Sequence, residues 1–240
     1  MWTIVVSETL GTMMLTLLGC SVAANVRLRN TFGHQGGWLL VSLGWGLGIF
    51  VGVYVAFASG AHLNPAVTFG ILVDGAPSFA PGIPVTPLNT LAYLVGEFLG
   101  AFVGAVLCFL AYRLHFEHSE VGADKLAVFA TAPRYRAYAW NVVTEAIATF
   151  VLVYVVLVFG RTPSGLGPLA VALVVVGIGV CLGGPTGFAI NPARDLGPRF
   201  AHAVLPIKGK GESDWPYAWV PVVAPLVGGL VAGLLARAAS

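Results

Sequence analysis

The sequence predicts an all-α membrane protein: six transmembrane helices plus two half-helices, arranged as an inverted repeat. Three observations lead there. The 240 residues are 58% hydrophobic and only 9% charged, whereas a soluble domain carries roughly 25% charged residues. A water-facing surface cannot be built from such a composition. Six apolar runs, at about 3–24, 38–58, 88–112, 138–160, 167–183 and 217–236, reach or approach the roughly 20 residues a crossing needs. Two further runs, about 64–73 and 191–204, are too short to cross, and each begins with the same tripeptide, Asn-Pro-Ala.

Taken in order, the first run carries Glu8 and no basic residue before it, so it reads as a retained span rather than a cleaved signal peptide. The second holds Trp45 in Leu43-Gly44-Trp45-Gly46, and the third holds Glu97. The segments between runs, 25–37, 74–87, 113–137, 161–166 and 205–216, collect the Pro, Gly and nearly all the charge, and read as loops. None is long enough to separate domains, so residues 1–240 are expected to form a single transmembrane domain. Phe32, Trp38, Tyr112, Tyr138, Trp140, Tyr217 and Trp219 fall at span ends, where aromatic rings anchor to the membrane interface. Cys20, Cys108 and Cys181 sit in apolar runs as small buried hydrophobes, and neither they nor His115 and His118 have metal-ligand spacing. Gly44, Gly48 and Gly52, and Gly96, Gly100 and Gly104, recur every four residues, as helix contacts in lipid require.

The halves repeat. Ser7-Glu8-Thr9 parallels Thr144-Glu145-Ala146 at an offset of 137, and Asn64-Pro65-Ala66 parallels Asn191-Pro192-Ala193 at an offset of 127. Repeats of about 1–115 and 136–240 hold three spans each. Three is odd, so the second repeat enters from the opposite face. Inverted repeats with interrupted helices place a site near the midplane.

The Asn-Pro pair has a physical reading. Proline suits the first helical position, where its missing N–H would have no partner. Asparagine suits the N-cap, its side-chain oxygen accepting from the second or third backbone N–H. Asn64 and Asn191 are therefore expected to start half-helices and to turn their amide hydrogens toward whatever passes. Backbone that begins in mid-membrane is tolerated only where protein buries it or water lines it. The carbonyls of Gly60, Ala61, His62 and Leu63, and of Gly187, Phe188, Ala189 and Ile190, are expected to face a solute in file. Two half-helices from opposite faces aim their positive ends at the centre and repel cations.

These paired motifs identify the chain as resembling the aquaporin family, the major intrinsic proteins, over essentially its whole length. The resemblance implies a right-handed bundle of six tilted spans and two half-helices, a homotetramer with one pore per subunit, no cofactor and both termini cytoplasmic. It implies a selectivity filter of Trp45, Gly179, Phe188 and Arg194. Trp45 lies 19 residues before Asn64, one fewer than the family spacing, which leaves Gly44 as the other candidate. Strict water channels usually carry histidine where this chain has Gly179, and glycine is expected to leave a wider opening. Trp45 and Phe188 would face a carbon backbone, and Arg194 its hydroxyls. Asp195, Arg199, Pro221 and Val222 also resemble the glycerol-facilitator branch. Glu8 and Glu145 are expected to hold backbone N–H groups of the two pore loops, the His62 ring to brace its loop, and Glu97, where the family commonly has glutamine, to be a packing or functional carboxyl.

The function expected is passive passage of glycerol, water and similar small neutral solutes across a lipid bilayer, with ions and protons excluded. A water-selective channel, a proton-coupled transporter using Glu8, Glu97 and Glu145, and a non-conducting membrane protein are the alternatives. No nucleophile–base arrangement or phosphate-cradling loop suggests an enzyme, no metal site is expected, and a net charge of +2 does not suggest nucleic acid as a partner. One feature points the other way on orientation. Ten of the 12 Lys and Arg lie on the side of loops 25–37, 113–137 and 185–216, so the positive-inside rule would put the termini outside.

Overall fold

The computed structural model describes residues 1–161 and 164–239. Its helices are α1 (Trp2–Arg27), α2 (Gly37–Val55), α3 (Pro65–Asp74), α4 (Pro87–Ala111), α5 (Arg113–His118), α6 (Gly122–Phe129), α7 (Tyr138–Val158), α8 (Pro168–Leu182), α9 (Pro192–Val204) and α10 (Val220–Ala238). The six long apolar runs form α1, α2, α4, α7, α8 and α10, and the two short ones form α3 and α9. Five of the described helices are long and apolar enough to cross a membrane, counting α10 together with the turn that leads into it; α8, with 15 residues, is shorter. It completes the bundle by packing on α2 and α7.

The packing repeats between halves. α1 lies on α4 as α7 lies on α10, and the half-helix of each half packs on the last helix of the other, α3 on α10 and α9 on α4. Glycine makes the closest approaches possible. A Cβ on Gly100 would stand 2.3 Å from the Thr9 carbonyl oxygen, and one on Gly233 would stand 2.6 Å from that of Gly70. The backbones of α1 and α4, and of α10 and α3, therefore touch directly, which is how helices associate when lipid supplies no hydrophobic drive between them.

Two segments read as loops carry structure. Residues 74–87 contain a short antiparallel ribbon, β1 (Ser78–Ala80) with β2 (Ile83–Pro84). Residues 113–137 contain α5 and α6, because Phe116, Val128 and Phe129 give this polar stretch an apolar face that is buried against the bundle. Three single residues also differ from expectation. Cys181 is exposed rather than buried. Tyr217 is fully buried, and Trp38 turns inward against Phe188 with ring centroids 5.6 Å apart, so neither is an interfacial anchor.

Candidate functional site

The site is built from two irregular strands of backbone that meet where α3 and α9 begin. Asn64 has an extended backbone, and its Oδ1 accepts from the Ala66 N–H at 2.9 Å. Asn191 has nearly the same backbone, and its Oδ1 accepts from the N–H groups of Ala193 at 3.0 Å and Arg194 at 3.1 Å. With Pro65 and Pro192 opening each helix, both ends carry the expected cap. The amides then cross over. Asn64 Nδ2 donates to the Ile190 carbonyl at 2.8 Å, and Asn191 Nδ2 donates to the Leu63 carbonyl at 2.7 Å. The half-helices thus meet head to head. One hydrogen of each amide is committed to the opposite strand, leaving one per asparagine where two were expected, and the Leu63 and Ile190 carbonyls each already hold a donor.

The strands before each asparagine share an unusual backbone. Ala61 and Leu63 have φ of 55° and 57°, and Phe188 and Ile190 have 41° and 45°. Left-handed non-glycine residues cost on the order of 1–3 kcal/mol each and persist only when the surroundings over-determine them. Here the alternation turns two N–H groups of each strand to one side. The N–H groups meet a carboxyl: His62 and Leu63 donate to Glu8 at 3.1 and 2.7 Å, and Ala189 and Ile190 donate to Glu145 at 3.0 and 2.9 Å. Both glutamates are fully buried. All eight residues of the two strands line a cavity.

The first strand has further supports. Glu97 Oε1 accepts from the Asn64 N–H at 3.2 Å and from Thr68 Oγ1 at 2.8 Å. Ser59 donates to Glu8 at 2.6 Å. His62 Nδ1 lies 2.8 Å from Thr68 Oγ1, and its ring stacks on Tyr93 at 4.0 Å. Thr68 thus stands between the His62 ring and the Glu97 carboxyl.

Three cavities follow one another through the bundle. A mouth of about 180 Å³ shares Trp45, Phe188 and Arg194 with a constriction of about 20 Å³, which in turn shares Ile49, Asn64 and Leu152 with a vestibule of about 640 Å³. A water molecule needs roughly 10–15 Å³, so the constriction has room for about one water. The mouth is amphipathic. Arg194 lies 92% buried with its guanidinium carbon 3.8 Å above the Trp45 ring, and Nη1 makes a long bond of 3.4 Å to the Phe129 carbonyl. Gly44 faces away, since a Cβ there would stand 2.5 Å from the Val22 side chain in α1.

Gly179 lies directly behind the Phe188 ring. It does not line the mouth or the constriction. A Cβ on it would lie 2.8 Å from Ser42 Oγ and 3.0 Å from the Phe188 ring. Phe188 occupies the room that a side chain at 179 would take, so glycine admits the Phe188 ring instead of widening the opening. Trp38 holds this corner, donating to the Gly179 carbonyl at 2.6 Å while its ring meets Phe188 edge-on.

Asp195 and Arg199 lie behind the mouth, one turn apart on α9 and both fully buried. Asp195 Oδ1 accepts from Arg199 Nε at 2.8 Å; its Oδ2 accepts from the Thr131 N–H at 2.8 Å and hydroxyl at 2.7 Å. Arg199 continues to the carbonyls of Thr131, Ser213 and Asp214 at 2.9, 2.8 and 3.0 Å. The pair binds α9 to the segment after α6, which supplies the mouth with Thr131 and with the carbonyl that Arg194 meets. Pro221 and Val222 begin α10 and line none of the three cavities. The residues sequence reasoning missed are Trp38, Phe129, Thr131 and Thr68. Only Thr68, four residues after Asn64 on the same helix, carries a local signal.

Helices of this length around a through-path, broken in the middle by two head-to-head half-helices, define a multi-pass membrane channel. Residues 1–236 match the model of the major intrinsic protein family, and the chain belongs to that family. It is 48% identical over 226 residues to the probable glycerol uptake facilitator protein of Thermotoga maritima, with 92% of each chain covered. It is 46% identical over 235 residues to the glycerol uptake facilitator protein of Bacillus subtilis, covering 97% of this chain and 83% of that one. The X-ray structure of the aquaglyceroporin from Plasmodium falciparum is similar with a TM-score of 0.82 at 33% identity, covering 96% of this chain and 93% of that chain.

Proposed function

We propose that the chain is a passive channel for glycerol and small uncharged polyols, also passing water and excluding ions and protons. The observation that carries this reading is the composition of the mouth, where the rings of Trp45 and Phe188 and the guanidinium of Arg194 line one cavity. A polyol has a carbon side and a hydroxyl side, and this mouth offers each a surface: rings for the first, N–H donors and strand carbonyls for the second. Asn64 and Asn191 each keep one amide hydrogen to orient a solute in the constriction. Arg194 and the positive ends of α3 and α9 oppose cations there. The chain transports and does not catalyse. Its site is completed within one transmembrane domain over residues 1–240, with repeats of about 1–115 and 136–240. It resides in the cell membrane as a homotetramer with both termini cytoplasmic, against the Lys and Arg distribution.

Light scattering from liposomes in a glycerol gradient tests this. The expected result is shrinkage followed by re-swelling as glycerol follows water in. Shrinkage without glycerol-driven recovery would reject the polyol reading. One observation favours that second outcome, a water-selective channel: the constriction is water-sized, at about 20 Å³. Phe188→Ala sharpens the assignment, since removing the ring should raise the size cut-off for polyols, and an unchanged cut-off would remove Phe188 from the filter.

A further inference from the structure

We propose that the mouth at the Arg194 end is also a binding site for a small oxyanion, a phosphate or a carboxylate, which plugs the passage when bound. A neutral polyol needs one guanidinium at this point, yet three line the same cavity of about 180 Å³: Arg27, Arg134 and Arg194. Among the described residues, no Asp or Glu lines it. Two carboxylates stand near it: Asp195, behind the wall residue Thr131 and already paired with Arg199, and Asp124, in the adjoining cavity of about 330 Å³, which also has Arg27 and Arg134 in its wall. Asp124 approaches Arg27 Nη1 at 3.5 Å, with both side chains about a third exposed, a pair that water screens. The other two arginines have donors to spare. A guanidinium carries five N–H groups. Arg194 commits one of them, in the bond of 3.4 Å to Phe129. The exposed side chain of Arg134 has no partner among the described residues; only its backbone is engaged, to the Pro185 carbonyl at 2.9 Å.

The chemistry of this excess is specific. Guanidinium forks match the paired oxygens of carboxylate and phosphate, and such charge-assisted bonds are shorter and stronger than neutral ones. The segments that hold ten of the 12 Lys and Arg also hold six of the ten Asp and Glu, so the attraction is local to the cavity, where a cleft lined by one sign of charge concentrates the opposite ion. The anion cannot proceed. Beyond Arg194 lies the constriction of about 20 Å³, lined by Leu15, Ile49, Leu152 and Val175 beside Asn64 and Asn191; its helix ends favour negative charge, but with room for about one water a phosphate or carboxylate would have to shed its hydration shell to enter. Because the mouth and the constriction share Arg194, Trp45 and Phe188, an anion on Arg194 sits across the route of the neutral solute.

The test uses the whole protein in liposomes, with sodium phosphate, acetate or chloride on both faces at equal ionic strength, since insertion is in both directions. Glycerol entry should slow relative to chloride, by about twofold when the anion equals its dissociation constant. Slowing by phosphate alone identifies a phosphoryl site, and slowing by acetate as well identifies a general oxyanion site. Arg27→Gln and Arg134→Gln, each compared with its own rate in chloride, should lose the effect. No slowing of the wild type by either anion, or equal slowing in both variants, would overturn the proposal. A second measurement does not depend on flux: ³¹P line broadening of inorganic phosphate by the detergent-solubilised protein, expected for the wild type and lost in Arg134→Gln. Broadening without glycerol flux would count against the channel reading alone. Glycerol flux with neither broadening nor slowing by acetate would count against the anion site alone.

Discussion

The two strands that lead into α3 and α9 are alike in backbone and unlike in support. Each has glycine, a left-handed residue and a second left-handed residue directly before its asparagine. Each gives two N–H groups to a buried glutamate and one carbonyl to the opposite asparagine. Around the first strand the remaining supports are internal: Glu97, Thr68, Ser59 and the His62–Tyr93 stack, all within the bundle. Around the second they reach outward, through Asp195 and Arg199, to segments at 131 and 213–214. The half-helices differ in the same sense. α3 is apolar apart from Thr68 and its last residue, whereas α9 carries Arg194, Asp195, Arg199 and His202, all buried. The repeated chemistry therefore makes a path, and the unrepeated chemistry makes a mouth. Variants that act on one strand alone can separate these roles.

The largest effect should come from the network found only on the second side. Arg199→Met leaves the Asp195 carboxyl buried with its guanidinium removed, and breaking a buried pair by deleting one partner costs about 3–5 kcal/mol. The expected outcome is a marked fall in the unfolding temperature of the detergent-solubilised protein. Protein that remains folded should show altered polyol selectivity, because the Thr131 carbonyl loses its bond to Arg199 and Asp195 alone still ties that segment to α9. A variant with wild-type stability and selectivity would mean that α9 holds the mouth without this pair.

Glu145→Gln should come next. Both carboxyl oxygens accept a backbone N–H on the second strand, so an amide turns a donor toward one of them. A buried unsatisfied donor costs roughly 1–3 kcal/mol. Thermal unfolding and glycerol entry should both decline, and wild-type values for both would show that the strand is held by its caps alone.

A smaller loss is expected at the far end of α9. Lys210 Nζ donates to the carbonyls of His202, Ala203 and Leu205, each at 2.7 Å, and so supplies a cation to the helix C-terminus. Lys210→Met should lower stability by about 1–2 kcal/mol, the scale of a favourable charge at a helix end. Thermal unfolding measures it, and an unchanged midpoint would show that water replaces the ammonium fully.

What could be read in the sequence was what depends on local chemistry. Hydrophobic runs declare their helices because lipid requires continuous apolar length. Asn64 and Asn191 declare their caps because the cap is made within three residues. Trp45, Phe188 and Arg194 could be grouped by motif, and in the structure they line one cavity. The spacing of Asp195 and Arg199, four apart on a helix, was open to reading as a pair. Their real partner, Thr131, was not, because it comes from a polar segment that docks through Phe116, Val128 and Phe129 only once the bundle exists. What fills the space at Gly179 was out of reach for a similar reason. A glycine in sequence reads as space, and whether that space is empty or filled by Phe188 is a tertiary fact. The crossing of the asparagine amides was also out of reach, since each acceptor lies about half the chain away.

The smallest effect is expected at Glu97, and it bears most directly on the comparison. The first strand has two buried carboxyls where the second has one, which raises the question of what the additional one contributes. Glu97 Oε1 takes both of its hydrogen bonds, from Asn64 and Thr68, while Oε2 has no partner among the described residues. Glutamine keeps the working oxygen and puts an amide nitrogen at a position that is unpartnered already. No hydrogen bond is lost and one buried unpartnered atom replaces another, so Glu97→Gln should change stability less than Glu145→Gln, which turns a donor onto a donor. It should also leave glycerol entry independent of an imposed proton gradient, as in the wild type. Loss of flux, or a proton-gradient dependence present in the wild type and abolished by the substitution, would make Glu97 a proton-handling group rather than a brace. The first strand would then carry a chemistry of its own, and the division between a path-making half and a mouth-making half would fail.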